Sequence, residues 1–200
     1  MTANGRVITG YSMPKYAVIG ENGYGTVAAL ARGVSVNMDI ETADDNNFYA
    51  DNVLAESASG LFTGGTLTLT VDGLKDTARK DIQGLPDASS VTITEGGTAT
   101  VSVYVYDDRQ TVPYCGVGFV VRYMEEGVTS YVPVVLTKVQ FNVDSIEANT
   151  QGEDIDWQTS ELSAKIFRDD TTNHAWRKIG AAQTTEAKAV AVISALLANS

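Results

Sequence analysis

The sequence predicts a mainly β protein: an antiparallel β-sandwich or partly open barrel with a short flanking α-helix and a C-terminal helix. Alternation of apolar and polar residues with a period of two dominates the chain. Turn signals rich in glycine and acidic residues separate these alternating runs. Helical spacing is confined to two segments. Because no linker, low-complexity tract or internal repeat divides the chain, we expect one domain over residues 1–200.

Three alternating runs lie in the first half of the chain. Residues 34–40 alternate valine, methionine and isoleucine with polar residues, which predicts a half-buried strand. Residues 66–72 alternate leucine and valine with threonine and aspartate in the same way. In residues 101–105 the valines face one side, and the turn Glu95-Gly96-Gly97 connects this strand to residues 91–94. Residues 66–72 are therefore predicted to form a strand, and residues 91–105 are predicted to form a hairpin.

Further strands follow in the second half of the chain. Turn signals at residues 107–110 and 125–127 separate apolar segments. The β segments are predicted at residues 114–124, 131–143 and 155–167. Pro133 indicates an edge or the start of a strand, because proline has no backbone N–H for the ladder.

The two predicted helices have recognisable ends. The first has apolar residues at helical spacing, and Gly84 with Pro86 marks its end. Its apolar positions are Leu74, Ala78, Ile82 and Leu85. The second covers residues 184–198, where Thr184 or Thr185 supplies the N-cap and Glu186 suits the first turn. Its apolar face is predicted to consist of Val190, Ile193 and Leu197.

The chain is strongly acidic. It has 14 basic and 25 acidic residues, a net charge of −11, so it lacks the electrostatic means to hold nucleic acid by its phosphates. Residues 33–74 and 139–164 contain acidic residues without any lysine or arginine. A solvated acidic surface that maintains solubility is the simplest interpretation. No apolar run approaches the roughly 20 residues that span a bilayer, so no membrane insertion is expected.

The sequence contains few residues that could act in catalysis or bind a metal. The single cysteine, Cys115, lies in an apolar strand and is predicted to be a buried, unreactive thiol of a chain that folds in a reducing cytoplasm. The single histidine, His174, lies in a polar turn and is predicted to be exposed. The acidic run around Asp44 lacks the spacing and central glycine of a calcium loop. The glycines of GENGYG, residues 20–25, are predicted to form a flexible turn and not a phosphate loop. We expect no catalytic site, metal or cofactor.

A long loop is predicted at residues 41–63. Loops of this length are usually functional, and this one contains aromatic and aliphatic residues that need a partner surface in the same chain or in another. We expect contacts with another subunit. The predicted contact residues are Asp44, Asp45, Phe48, Tyr49, Asp51, Asn52, Val53, Leu54, Leu61 and Phe62.

Several of these segments resemble a known family. The stretch SVNMDIETADDNNFYADNVLAE, with FYADN at its centre, resembles the start of major tail proteins of long-tailed, non-contractile bacteriophages of Gram-positive hosts. GGTLTLTVDGLKDTARKDIQGLP resembles that family's strand and short helix, and VVLTKVQFNVDSIEANTQGEDIDWQTSELSAKIF its paired late strands. The resemblance covers residues 33–167 and contains no catalytic signature.

The resemblance implies the phage tail tube fold and a structural role in the virion tail. Such subunits form hexameric rings that stack into a tube from capsid to baseplate, and DNA passes through without specific binding. The implied partners are other copies of the chain and the tail terminator, tape measure and baseplate proteins, with assembly in the host cytoplasm. An acidic lumen wall would suit this role, because a basic wall would retain DNA.

Other functions share some of these features. A β-sandwich adhesion or carbohydrate-binding module on a larger particle would have the same fold class and acidity, but would be monomeric with a compact aromatic site. A tube subunit of a contractile secretion device would share the architecture without conducting DNA. An enzyme is the least favoured class, for want of a nucleophile, a histidine-based site or a cofactor loop.

Overall fold

A computed structural model of the chain describes residues 5–143, 145–146, 148–150, 152 and 157–198. The strands of the first half are β1 Val7–Gly20, β2 Gly23–Tyr24, β3 Ala28–Ala29, β4 Gly33–Thr42, β5 Asn46–Ala50, β6 Val53–Ala58 and β7 Phe62–Val71. Those of the second half are β8 Ser89–Ile93, β9 Ala99–Val103, β10 Tyr114–Glu125, β11 Val128–Phe141, β12 Ser160–Phe167 and β13 Arg177–Ile179. The helices are α1 Asp76–Gln83 and α2 Glu186–Ala198.

The main sheet is antiparallel and open. Its strand order is β2-β1-β10-β11-β12-β7-β4, with β13 paired to β11 and β3 paired to β1. The sheet folds back on itself so that β4 approaches β1, where the ring of Tyr11 packs against Gly33. A Cβ on Gly33 would lie 2.2 Å from Tyr11 Cε1, so the close approach requires glycine. No ladder pairs join β1 to β4 in the described residues, and the sheet is not a closed barrel.

The core lies between the two halves of this folded sheet. It is built from the inward residues of each alternating strand, such as Leu67, Leu69 and Val71 of β7, which are fully buried. Phe119 of β10 packs edge-on against Tyr11. In β7 and β12 the alternation of side chains places one apolar row inside and a polar row outside. The middle parts of β10 and β11 are buried on both faces, because α2 covers their outer side.

The helices cover different parts of the sheet. In α1, Ala78 and Ile82 are buried against the core, and Gly84 takes the left-handed C-cap conformation at φ 62°. In α2, Thr185 accepts a hydrogen bond from the backbone N–H of Lys188, and Ile193 packs on the outer face of β1, β10 and β11. Neither helix in the described chain has the length and apolarity that a bilayer span requires.

Most predicted elements are confirmed. The strands at residues 34–40, 66–72, 114–124 and 131–143, the hairpin at residues 91–105 and both helices are present. The second helix starts at Glu186, two residues after the predicted boundary, and its buried face includes Ala189. Turns at residues 107–110 and 125–127 also form, the latter with positive φ at Glu126 and Gly127.

Three predictions about strands need correction. The 14-residue β1 was missed, because Gly10, Met13 and Pro14 interrupt its alternation; Met13 has a positive φ at an irregularity in the ladder. The strand predicted from residue 155 begins at Ser160, and residues 155–156 lie outside the described chain. Pro133 is inside β11 and not at its start. Its carbonyl accepts a bond from Gly180, so its missing N–H faces the three-residue β13 and not β10.

Candidate assembly surfaces

The predicted loop at residues 41–63 is a β-hairpin. Strand β4 continues to Thr42, β7 begins at Phe62, and β5 pairs with β6 between them. The two-residue turn consists of Asp51 and Asn52, both at positive φ, as a type I′ turn requires. We call residues 43–61 the first hairpin.

Both faces of the first hairpin carry apolar side chains that nothing in the described chain covers. Phe48 is 63% exposed on one face, and Tyr49 is 61% exposed on the other. Val53 and Leu54 in β6 are exposed as well. An isolated two-stranded hairpin is marginally stable in water, so apolar residues on both of its faces indicate a surface that another molecule covers.

The base of the first hairpin is closed by its own hydrogen bonds and is followed directly by contacts within the domain. The Ala43 N–H donates to the Leu61 carbonyl at 2.9 Å, and Asp45 Oδ1 accepts from the Gly60 N–H at 3.1 Å. Next to this base, Phe62 stacks on Trp176 with ring centroids 4.5 Å apart. Arg168 donates a hydrogen bond to the Phe62 carbonyl. These contacts fix the position from which the hairpin projects.

Nine of the ten predicted contact residues are exposed. They are Asp44, Asp45, Phe48, Tyr49, Asp51, Asn52, Val53, Leu54 and Leu61. Phe62 differs, because it is half-buried and packs on Trp176 in the same chain. The structure therefore brings the nine together on one projection and gives Phe62 a partner within the domain.

A second projecting hairpin was not anticipated as a surface. In β8–β9, residues 89–103, the ladder pairs Val91 with Val101 and places Ile93 and Val103 on the same side. The opposite side carries serine and threonine. Val91 is 48% and Val101 42% exposed, so the apolar side lacks cover within the described chain. Alternation alone predicts a strand with one apolar side and does not say which molecule covers that side.

An ion pair lies on each side of the second hairpin along the chain. Lys80 of α1 lies 2.6 Å from Asp87, just before β8. The hydrogen bond from Lys80 holds the pKa of the Asp87 carboxyl below its usual value. After β9, Arg109 and Asp107 form a second pair at 2.6 Å. Both pairs are largely solvent-exposed, so they contribute little to stability.

A third surface is the outer, polar side of β4, β7 and β12. Thr66, Thr68 and Thr70 form its middle row. The flanking residues are Ser35, Asn37, Asp39 and Glu41 on β4 and Glu161, Ser163 and Lys165 on β12. Neither helix packs on this side, since α2 covers β1, β10 and β11. With three carboxylates and one ammonium group, this polar face is acidic.

The residues considered for chemistry are not gathered into a site. Cys115 is fully buried, as predicted, and burial raises the pKa of its thiol to about 12. His174 lies in an exposed turn, also as predicted, where its Nδ1 is 3.3 Å from the Asp169 carbonyl. Within the described residues, no group of three or more histidine, cysteine or acidic side chains could hold a metal ion.

Part of the acidic stretch at residues 139–164 lies outside the described residues. The acidic residues of that part are Asp144, Glu147, Glu153, Asp154 and Asp156. Nearby Trp157 is described and is 83% exposed.

No protein-family model matches the sequence, and no curated protein matches it either. The proposal for function therefore rests on the three surfaces and on the resemblance in the sequence.

Proposed function

We propose that this chain is a self-assembling structural subunit of a phage tail tube, in which hexameric rings stack into a conduit for DNA. The observation that carries the proposal is the pair of hairpins that project from the domain with uncovered apolar side chains. A folded protein rarely leaves such surfaces in water unless they are interfaces. The tail tube fold is part of the proposal.

The positions of the hairpins support stacking. Neighbouring strands of the main sheet are antiparallel, so the end of β4 and the start of β7 lie at one end of the sheet. The first hairpin connects them. The end of β7 leads into α1, and the second hairpin lies between α1 and the start of β10. The hairpins therefore leave from opposite ends, so the second hairpin can reach the next ring while the first reaches a neighbouring copy.

The free edge of β4 supports lateral association. Among the described residues, β4 pairs only with β7, so its other edge offers unpaired backbone groups along ten residues. Edge strands of this length pair with other chains unless they are protected. In the proposed ring, neighbouring subunits continue the sheet from this edge.

The polar face of β4, β7 and β12 is proposed to line the lumen. It presents hydroxyl groups and carboxylates, with Lys165 as its one basic side chain. A wall that binds phosphates would retain DNA by releasing counterions, whereas an acidic, hydroxyl-rich wall repels it weakly and lets it pass. The same acidity would keep unassembled subunits soluble.

Sedimentation velocity over a range of protein concentrations tests self-assembly. A tube subunit is expected to shift from monomer to large, discrete particles as the concentration rises. An adhesion or carbohydrate-binding module would sediment as a monomer throughout. The exposed aromatic residues of the first hairpin, Phe48 and Tyr49, lie on opposite faces and do not form one compact sugar site, which supports the tube subunit over that module.

A further inference from the structure

An apolar groove lies on the flank of the domain where the sheet fails to close. Its volume is about 440 Å³, within the usual range for ligand-binding sites. Side chains of β1, β4, β10 and β13 line it, among them Ile8, Val34, Met38 and Ile179. The groove opens next to the free edge of β4 and therefore exposes part of the core.

The groove contains a polar group that lacks a partner. Tyr11 lines the groove, and its hydroxyl is buried without a hydrogen-bond partner in the described part of the chain. Burial raises the pKa of Tyr11, so the hydroxyl keeps its proton and remains a donor. A buried unsatisfied hydroxyl is costly, and an incoming acceptor would remove that cost.

The rim of the groove is basic in an otherwise acidic protein. Arg177 lines the groove and stacks on Trp176, 4.5 Å from the ring centroid. Arg6 stacks on Tyr123, another lining residue, at 4.1 Å. Among the described residues, none that lines the groove is acidic. The site thus combines an apolar floor with guanidinium groups at its edge.

The first hairpin has the complementary chemistry. It presents Phe48 and Tyr49 as apolar anchors and carries carboxylates at Asp44, Asp45, Asp51 and Glu56 without any basic residue. We propose that the groove of one copy receives the first hairpin of a neighbouring copy. The face of the hairpin that carries Tyr49 occupies the groove, and carboxylates of the hairpin pair with Arg6 and Arg177.

This inference rests on the proposed function and specifies its lateral contact. Because the hairpin and the groove are different surfaces, the contact is heterologous and propagates from copy to copy until a ring closes. The free edge of β4 borders the groove, so the same contact brings a neighbouring chain next to that edge. Charge complementarity at the rim would orient the approach of the hairpin.

Cysteine cross-linking between two differently tagged chains tests the contact. One chain carries Tyr49→Cys in the hairpin and the other Val34→Cys in the groove; both positions are exposed, and Cys115 is buried and does not compete. After mild oxidation, we expect a disulfide-linked heterodimer. The control replaces Val34→Cys by Lys188→Cys on the exposed side of α2. A yield no higher than that of the control would overturn the inference.

Charge reversal provides a second test of the proposed contact. Arg6→Glu with Arg177→Glu is expected to abolish assembly, and adding Asp51→Arg with Glu56→Arg to the same chain to restore it. The matched control, Lys75→Glu with Lys188→Glu, changes the net charge equally and should assemble. Circular dichroism verifies that each variant is folded. Failure of the restoring pair to recover assembly would contradict the proposed pairing.

The outcomes separate this inference from the proposed function. If the wild-type protein forms tubes but the heterodimer is absent, the groove contact is wrong and the tube proposal stands. If the heterodimer forms while the wild-type protein never exceeds small oligomers, the contact stands and the tube proposal fails. If neither forms, both are wrong.

Discussion

The rings of Phe62 and Trp176 lie parallel, with an interplanar angle of 1° and centroids 4.5 Å apart. Phe62 is the first residue of β7 and directly follows the first hairpin. Arg168 donates to its carbonyl and lies 5.8 Å from its ring centroid. The stack therefore marks the boundary between the domain and the first hairpin. Beyond this boundary, the aromatic residues of the hairpin are free to contact another molecule.

This boundary predicts that replacing Phe62 destabilises the subunit, whereas replacing Phe48 does not. Phe62→Ser should lower the free energy of unfolding by about 1–3 kcal/mol, because it removes a stacked, half-buried ring. Phe48→Ser should change it by less than about 0.5 kcal/mol, because the exposed ring contacts little in the free subunit. Urea denaturation of the unassembled proteins measures both. Equal destabilisation would show that Phe48 packs within its own chain.

The exposed aromatic pair is predicted to act in assembly. Phe48→Ser with Tyr49→Ser should give a folded monomer that no longer forms large particles in sedimentation velocity. The control, Val128→Ser, removes an equally exposed apolar side chain at the β10–β11 turn. Normal assembly of the double variant would remove the first hairpin from the interface.

Substitutions on the apolar side of the second hairpin are likewise predicted to weaken assembly without destabilising the monomer. Val91→Thr with Val101→Thr keeps β-branched residues in the ladder, so the monomer should retain its melting temperature. Assembly should weaken, because the replaced side chains form the uncovered apolar side. Thr92→Ser with Thr100→Ser on the opposite side is the matched control. Unchanged particle size for the valine variant would contradict the role given to this side.

The proposed lumen wall can be tested by reversing its charge. Asp39→Lys, Glu41→Lys and Glu161→Lys together should leave the core intact, because all three side chains are exposed. The assembled tubes should then retain DNA at low salt and release it as salt rises. A control with Glu21→Lys, Glu95→Lys and Asp108→Lys carries the same charge outside the polar face. Equal DNA retention by both variants would show that the polar face does not line the channel.

The buried thiol predicts how stability depends on alkaline pH. The pKa of Cys115 is raised from 9.0 to about 12 by burial, so the folded protein holds this proton after the unfolded chain has lost it. Between pH 9 and pH 12 the unfolded state binds fewer protons, and the free energy of unfolding must fall as pH rises. Relative to Cys115→Ala, the wild-type protein should lose stability across this window. A pH-independent difference between the two would contradict the assignment.

Much of the fold follows from local patterns in the sequence. Leu67, Leu69 and Val71 alternate with threonine, and burial of one side of β7 is the direct result. Gly84 ends α1 because it adopts the left-handed conformation without steric cost. By contrast, β1 escaped prediction because Met13 and Pro14 interrupt its alternation, although its ladder with β10 resumes at Lys15. Long-range pairing, which a local pattern does not contain, holds that strand together.

The surfaces were less accessible to prediction. The first hairpin was expected to be a loop, because its turn uses Asp51 and Asn52 instead of the glycine that usually marks a type I′ turn. The second hairpin was predicted as a hairpin but not as a surface, because a valine row has the same pattern whether its cover comes from the same chain or another. The groove depends on the contact between Tyr11 of β1 and Gly33 of β4. These residues are distant in the sequence, so the local pattern of neither strand predicts their contact.

Cryo-electron microscopy of the protein at high concentration tests the central claim most directly. The account predicts hollow tubes of stacked six-fold rings, with the polar face of β4, β7 and β12 towards the channel and the first hairpin between neighbouring copies. A protein that remains monomeric at every concentration, or an assembly with a basic inner wall, would contradict it.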